Sequence, residues 1–146
     1  LIFTMPNADT EGRVLFEMVE KFVGNRPNVR AYPSLGQLCY LSCVQHVDAV
    51  LGNSSSGLTE VPSFGKATIN IGDRQRGRLK AESVIDCPPE RAAITEAIVR
   101  LYSPEFRVKL EAVRNPYGDG GASNLVVQEL VRVPLKGILK KSFFDL

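Results

Sequence analysis

Short apolar runs alternate along this chain with stretches in which apolar residues recur at helical spacing. Residues 1–4 read as a strand and 5–12 as a polar loop. Leu15, Met18, Val19 and Phe22 then recur every three to four residues, which predicts an amphipathic helix stopping near Gly24 and Asn25. A brief second strand is expected over 28–31, a helix over 35–45 and a third strand over 47–51. The next helix, 55–64, should be short and kinked, because Pro62 cannot donate to a helical ladder. Residues 67–71 predict a buried strand and 83–86 the last one. Three helices follow. The first, over 90–101, has Ile94, Ala97, Ile98 and Leu101 as its buried stripe; the second covers 104–113. In the third, over 124–133, Leu125, Val126, Leu130 and Val131 call for a packing neighbour.

Strands alternating with helices, with apolar runs in place of clean polar alternation, belong to a parallel sheet covered on both faces. The fold class is therefore α/β, with right-handed crossovers. Such folds bind ligands beyond the C-terminal ends of their strands. That rule gathers three loops on one edge: the one holding Asn7 and Asp9, the one holding 54–60, and the one beginning at Gly72.

Length and composition narrow the picture. One domain accommodates 146 residues, and 44% hydrophobic with 23% charged residues describes an ordinary globular protein. A net charge of +2 is too mild to imply nucleic acid or a membrane surface, and no apolar run is long enough to span a bilayer. Cys39 and Cys43 are expected to be small core residues, and with a single His46 no metal cluster is legible. No leader or low-complexity tract is visible, so a cytoplasmic setting is expected. The first residues already form a strand, as though the chain were cut from something longer.

The corner at 52–60, Gly-Asn-Ser-Ser-Ser-Gly-Leu-Thr-Glu, carries the candidate chemistry. A strand that runs into this turn and then a helix presents unpaired N–H groups to an anion. Gly52 and Gly57 would allow close backbone approach, and Ser54, Ser55 and Ser56 add hydroxyls, one of them as a helix cap. Glu60, one turn on, would repel a phosphate but can accept from a sugar diol. Two readings fit: an anion site built for a nucleotide or nucleotide sugar, and an ordinary capped corner. The loop at 72–80 places Arg74, Arg76, Arg78 and Lys80 on alternate positions. One arginine there suits a phosphoryl oxygen, although a plain solvated loop reads the same way. No acid–base machinery is evident, and no histidine stands near the corner to build a nucleophilic triad.

Several motifs in order carry a family likeness: Pro-Asn-Ala-Asp at 6–9, the serine corner with Glu60, Pro-Ser-Phe-Gly at 62–65, Ile-Asn-Ile-Gly-Asp-Arg-Gln at 69–75, Gly77-Arg78, Glu-Ser-Val-Ile at 82–85, and Asn-Pro-Tyr-Gly-Asp-Gly at 115–120. Together they resemble the hydrolysing UDP-N-acetylglucosamine 2-epimerases, most closely the sialic-acid-pathway type. The resemblance implies a glycosyltransferase-B-like enzyme of two Rossmann-like halves, with UDP in the cleft between them. This chain would be the C-terminal half: a Rossmann-like parallel sheet with helices on both faces over 1–146. Its tail, about 134–146, would pack on the missing half.

By the same resemblance Ser54 and Ser55, with the nearby backbone N–H groups, would hold the diphosphate, Gly57 would belong to the same UDP-binding turn, and Glu60 would bind the ribose hydroxyls. Arg74 would contact the phosphates, Asn7 would line the cleft, and 35–40 would lie near the uracil. The family eliminates UDP through a 2-acetamidoglucal, to which water adds to give N-acetylmannosamine. The carboxylates and the cleft histidine of that chemistry would lie upstream of residue 1. No catalytic residue is therefore expected in 1–146, and none of the family's turnover from this piece alone. The implied partners are a UDP-sugar and the missing N-terminal domain, with self-association left open. No cofactor, metal, nucleic acid or membrane is expected. Two other readings stay open: another sugar-nucleotide enzyme of the same architecture, and a non-catalytic nucleotide-binding or interaction module.

Overall fold

The computed structural model describes residues 1–5 and 10–137. Asn7, Asp9 and the tail from 138 lie outside the described residues. In chain order the elements are β1 (Ile2–Thr4), α1 (Thr10–Val23), β2 (Arg30–Tyr32), α2 (Gly36–His46), β3 (Ala49–Gly52) and α3 (Ser56–Thr59). A 3₁₀ turn, Val61–Phe64, leads to β4 (Ala67–Ile71) and β5 (Val84–Cys87), and then to α4 (Arg91–Leu101), α5 (Pro104–Glu111) and α6 (Ala122–Arg132). Every pairing among the described strands is parallel, as the alternation of strands with helices predicts. The sheet is drawn in two ladders, β1–β2 and β3–β4–β5. Among the described residues no helix is long and apolar enough to cross a membrane.

The core lies on the three-stranded ladder. β4 is its middle strand, and Ala67, Thr68, Ile69 and Asn70 are all buried. Ala67, Ile69, Ile85 and Cys87 pack with Ala97, Leu101 and Phe106 from α4 and α5. Burial of a side chain such as Ile69 contributes about 1.5–3 kcal/mol, so this cluster anchors everything that leaves the strands' C-terminal ends. α5 starts cleanly: Pro104 takes its first turn, and the Phe106 N–H donates to Ser103 Oγ at 3.2 Å.

α3 lies on the opposite face of that ladder at unusually short range. A Cβ on Gly57 would sit 2.5 Å from Thr68 Cγ2, and the Thr68 hydroxyl donates to the Gly57 carbonyl at 2.7 Å. The missing side chain at 57 thus makes room for β4. At Gly52, φ is +148°, a conformation glycine alone adopts freely, and the chain leaves β3 there. The kink expected at Pro62 is present: α3 gives way after Glu60 to the 3₁₀ turn.

Elsewhere the fold departs from the apolar pattern. The α1 stripe is largely exposed, with Leu15 at 51% and Met18 at 62%, because two three-residue strands cannot cover a fourteen-residue helix. Phe22 is the exception in kind, meeting Phe3 edge-on at 5.9 Å and Arg26 over its face at 4.1 Å. Cys39 is exposed and Cys43 half-buried, not the core residues expected, since α2 fully buries only Val44. Cys87 is the buried cysteine. Leu125, Val126, Leu130 and Val131 on α6 are exposed, and α6 buries none of its residues against the rest of the described chain.

Gly57→Ala should destabilise the chain by about 1–3 kcal/mol in urea unfolding, because Thr68 is buried and cannot swing aside. Adding Thr68→Ser, which removes the methyl and keeps the hydroxyl, should recover most of that loss. A double variant no more stable than the single one would exclude this contact as the cause.

Candidate functional site

The corner after β3 keeps its three serines in different states. Ser54 Oγ accepts from the Ser56 N–H at 3.4 Å, so the expected cap comes from the residue before the N-cap position, and the Ser54 hydroxyl proton stays free to donate. Ser55 occupies the N-cap position without a side-chain cap. The Ser54 and Ser55 backbone N–H groups have no partner among the described residues. Ser56 turns inward and donates to the Tyr40 hydroxyl at 2.6 Å. Since α3 has a single turn, its dipole is small, and the available donors are these individual N–H and O–H groups.

Glu60 closes α3 and is half-buried. Burial pushes the Tyr40 phenol up, the Ser56 hydrogen bond opposes that, and the charge of Glu60 adds to the rise. Tyr40 therefore stays protonated at any ordinary pH. Thr59, beside Glu60, gives its carbonyl to Asn115 Nδ2 at 2.8 Å, and the same amide reaches Ser63 Oγ at 2.7 Å. Asn115 thereby stitches the loop after α5 to both halves of the kinked 54–64 segment.

The 72–80 loop leaves β4 beside the corner. Gln75, only 3% exposed, donates through Nε2 to the Asn53 carbonyl at 2.7 Å. At the loop's far end, Tyr117 donates to the Leu79 carbonyl at 3.2 Å. Arg74, Arg76 and Arg78 are exposed and make no ion pair among the described residues. Lys80 differs, since its ammonium bridges both Asp86 oxygens at 2.8 Å, and Asn70 Nδ2 adds a third bond to Asp86 at 2.7 Å. Burial alone would raise the Asp86 carboxyl, but the Lys80 and Asn70 hydrogen bonds and the Lys80 charge outweigh it and hold it below its ordinary value. Burial, with the neighbouring Asp86 charge, pushes the Cys87 thiol up and leaves it inert. A cleft of about 580 Å³ runs past Gly72, Asp73, Arg76, Lys80 and Asp86. It does not include Ser54, Ser55 or Glu60, which lie on the open corner.

Two of the three loops expected on one edge are therefore joined directly, by Gln75 and Asn53. Ser54, Ser55 and Glu60 share the corner, and Arg74 stands on the loop tied to it. Gly57 is on the same turn but buried against Thr68, so its lack of a side chain serves packing. Asn7 lies outside the described residues. Gln75 and Asn115 stand inside the motifs that carry the family likeness and Tyr40 inside 35–40, but none had a role of its own in the sequence; a glutamine between two arginines in a polar loop gives no sign that it will be buried.

The model of the family described as UDP-N-acetylglucosamine 2-epimerase matches residues 1–131, which takes in both joined loops and the Asn115 brace. The chain belongs to this family. It is 38% identical over 148 residues to the GDP/UDP-N,N'-diacetylbacillosamine 2-epimerase (hydrolyzing) of Campylobacter jejuni, a match covering 100% of this chain and 38% of that protein. To the polysialic acid biosynthesis protein P7 of Escherichia coli it is 40% identical over 116 residues, covering 80% of this chain and 29% of that protein. In fold it matches the crystal structure of the UDP-GlcNAc 2-epimerase of Neisseria meningitidis bound to UDP-GlcNAc. The TM-score is 0.68 at 22% identity, over 90% of this chain and 36% of that one. The chain thus spans well under half the length of these family relatives, and its fold is that of one α/β part of a glycosyltransferase-B-like enzyme.

Because Asp86 titrates below its ordinary value when folded, its pairing supports the fold above the unfolded carboxylate pKa and is lost as pH falls through the folded one. The stability difference between the wild type and Asp86→Asn should accordingly narrow as pH drops from about 6 to about 2.5. A constant difference in unfolding free energy across that window would argue against the Lys80–Asp86 pair as its source.

Proposed function

We propose that this chain forms the nucleotide-holding half of a hydrolysing UDP-N-acetylglucosamine 2-epimerase, which turns UDP-N-acetylglucosamine and water into UDP and N-acetylmannosamine. The observation that carries the reading is the corner itself. Ser54 and Ser55 offer N–H groups and a hydroxyl proton that have no partner among the described residues, Glu60 stands one turn on, and a loop bearing Arg74 is bonded to Asn53. Donors of that kind suit a diphosphate, and a carboxylate beside them suits a ribose diol.

Loss of UDP from the sugar leaves negative charge on the departing diphosphate. The Ser54 and Ser55 donors and the Arg74 guanidinium would stabilise that charge as it forms, where such interactions accelerate a reaction most. The carboxylates that move protons on the sugar would come from the other half of the enzyme, closing over this open corner. The name of the Escherichia coli relative supports a place on the way to sialic acid. A second substrate has its own support: the Campylobacter relative, 38% identical over the whole chain, is named for a nucleotide-activated diacetylbacillosamine. Both substrates present the same diphosphate and ribose to this half, so the reading of the corner is common to them.

In the full-length protein, Glu60→Gln should weaken UDP binding by about tenfold or more, and Ser54→Ala by about threefold to tenfold. Calorimetric titration of UDP checks both, and unchanged affinity in both variants would refute the nucleotide reading. Release of N-acetylmannosamine from UDP-N-acetylglucosamine, set against release of the corresponding diacetamido sugar, decides between the substrates.

A further inference from the structure

Gln75 occupies a position that packing alone does not favour. The residue is only 3% exposed, yet of its amide only the nitrogen is used: Nε2 donates to the Asn53 carbonyl, while Oε1 is buried without a partner among the described residues. A carbonyl oxygen can only accept, which fixes the amide with its nitrogen towards Asn53. An apolar side chain of the same length would fill the space without burying an unpaired acceptor. The bond spans 22 residues of sequence and joins the first residue past β3 to the loop past β4. Its two sequence neighbours, Arg74 and Arg76, are exposed.

We propose that Gln75 is a positioning residue that acts through Arg74. Anchoring residue 75 in the interior, bonded to the residue next to Ser54, fixes where the preceding guanidinium can reach along the corner. The far end of the loop is held separately by Tyr117 on Leu79, and Arg74 sits in a turn closed by the Arg76 N–H on the Asp73 carbonyl at 2.8 Å, so removing the Gln75 bond unties that turn from the corner without unfolding it or releasing the whole loop. Gln75 touches no phosphate itself; it limits the number of places Arg74 can occupy before the anion arrives. Preorganisation of this kind strengthens binding by reducing the ordering that binding requires. The inference rests on the nucleotide reading of the corner.

A double-mutant cycle in the full-length protein tests it, with UDP affinity as the readout and thermal unfolding run alongside. Gln75→Met, which keeps length and burial but removes the donor, should weaken UDP binding by about fivefold to tenfold. In an Arg74→Ala background the same change should cost less than about twofold, because the group it positions is gone. Equal losses in both backgrounds, or no loss in the first, would overturn the proposal whatever happens to stability. Gln75→Glu gives a second arm: ionised, it is repelled by the Asn53 carbonyl, and protonated, it can donate again. Its UDP affinity relative to wild type should therefore recover as pH falls from about 8 to about 5, and a flat ratio would also count against the proposal. If Ser54→Ala and Glu60→Gln both leave UDP affinity intact, the nucleotide reading itself fails, which is a separate result.

Discussion

How closely α3 can lie on β4 decides the shape of the corner. The Gly57 backbone and the Thr68 side chain occupy space that a single extra carbon would fill, and the Thr68 hydroxyl satisfies the Gly57 carbonyl in the same contact. That carbonyl would otherwise be a buried, unpaired acceptor, so the approach is held by polarity as well as by volume. Ser54, Ser55 and Glu60 flank this contact on either side within a few residues. Their placement is thus inherited from the core strand beneath them, which is the most deeply buried in the described sheet.

Around that rigid contact the loops are fixed by single polar side chains, each reaching across a long stretch of sequence. Gln75 joins two strand ends, Asn115 joins the loop after α5 to the kinked segment, and Tyr40 joins α2 to α3 through Ser56. Net hydrogen-bond energies of about 1 kcal/mol make none of these a large stabiliser alone. Their value lies in geometry, since each removes freedom from a backbone segment that carries a candidate ligand group. The Lys80–Asp86 pair does the same where the 72–80 loop rejoins β5.

Much of this was legible in the residues. The apolar runs located the five described strands to within two residues or so, because β-branched and apolar residues cluster there between turn-forming stretches, even though β2, β4 and β5 also carry Arg30, Thr68, Asn70 and Asp86. Pro62 announced the broken helix. The corner was recognisable because glycine, hydroxyl and carboxylate cluster where an apolar run stops. What the pattern could not reveal were contacts set by tertiary placement. Helical spacing implied a buried stripe on α1, but the amount of sheet available to cover it is not written in that segment. Cys39 and Cys43 share helical spacing without sharing a core. The expected freedom of Gly57 to admit a ligand became freedom to admit Thr68, because the same missing Cβ serves either neighbour. Gln75 was invisible for a simpler reason: a polar residue among arginines looks solvated until the fold buries it.

The pairing of Lys80 with Asp86 has a consequence for how the 72–80 loop attracts an anion. With the loop's one amine engaged, the positive groups left facing solvent are the guanidinium groups of Arg74, Arg76 and Arg78. A guanidinium keeps its charge at every pH a living cell reaches. The pull on a diphosphate from this side is therefore tuned by screening, over a Debye length of about 8 Å at physiological salt, and hardly at all by acidity. Any change of affinity with pH in the neutral range must then come from the ligand's own phosphate or from groups outside this loop.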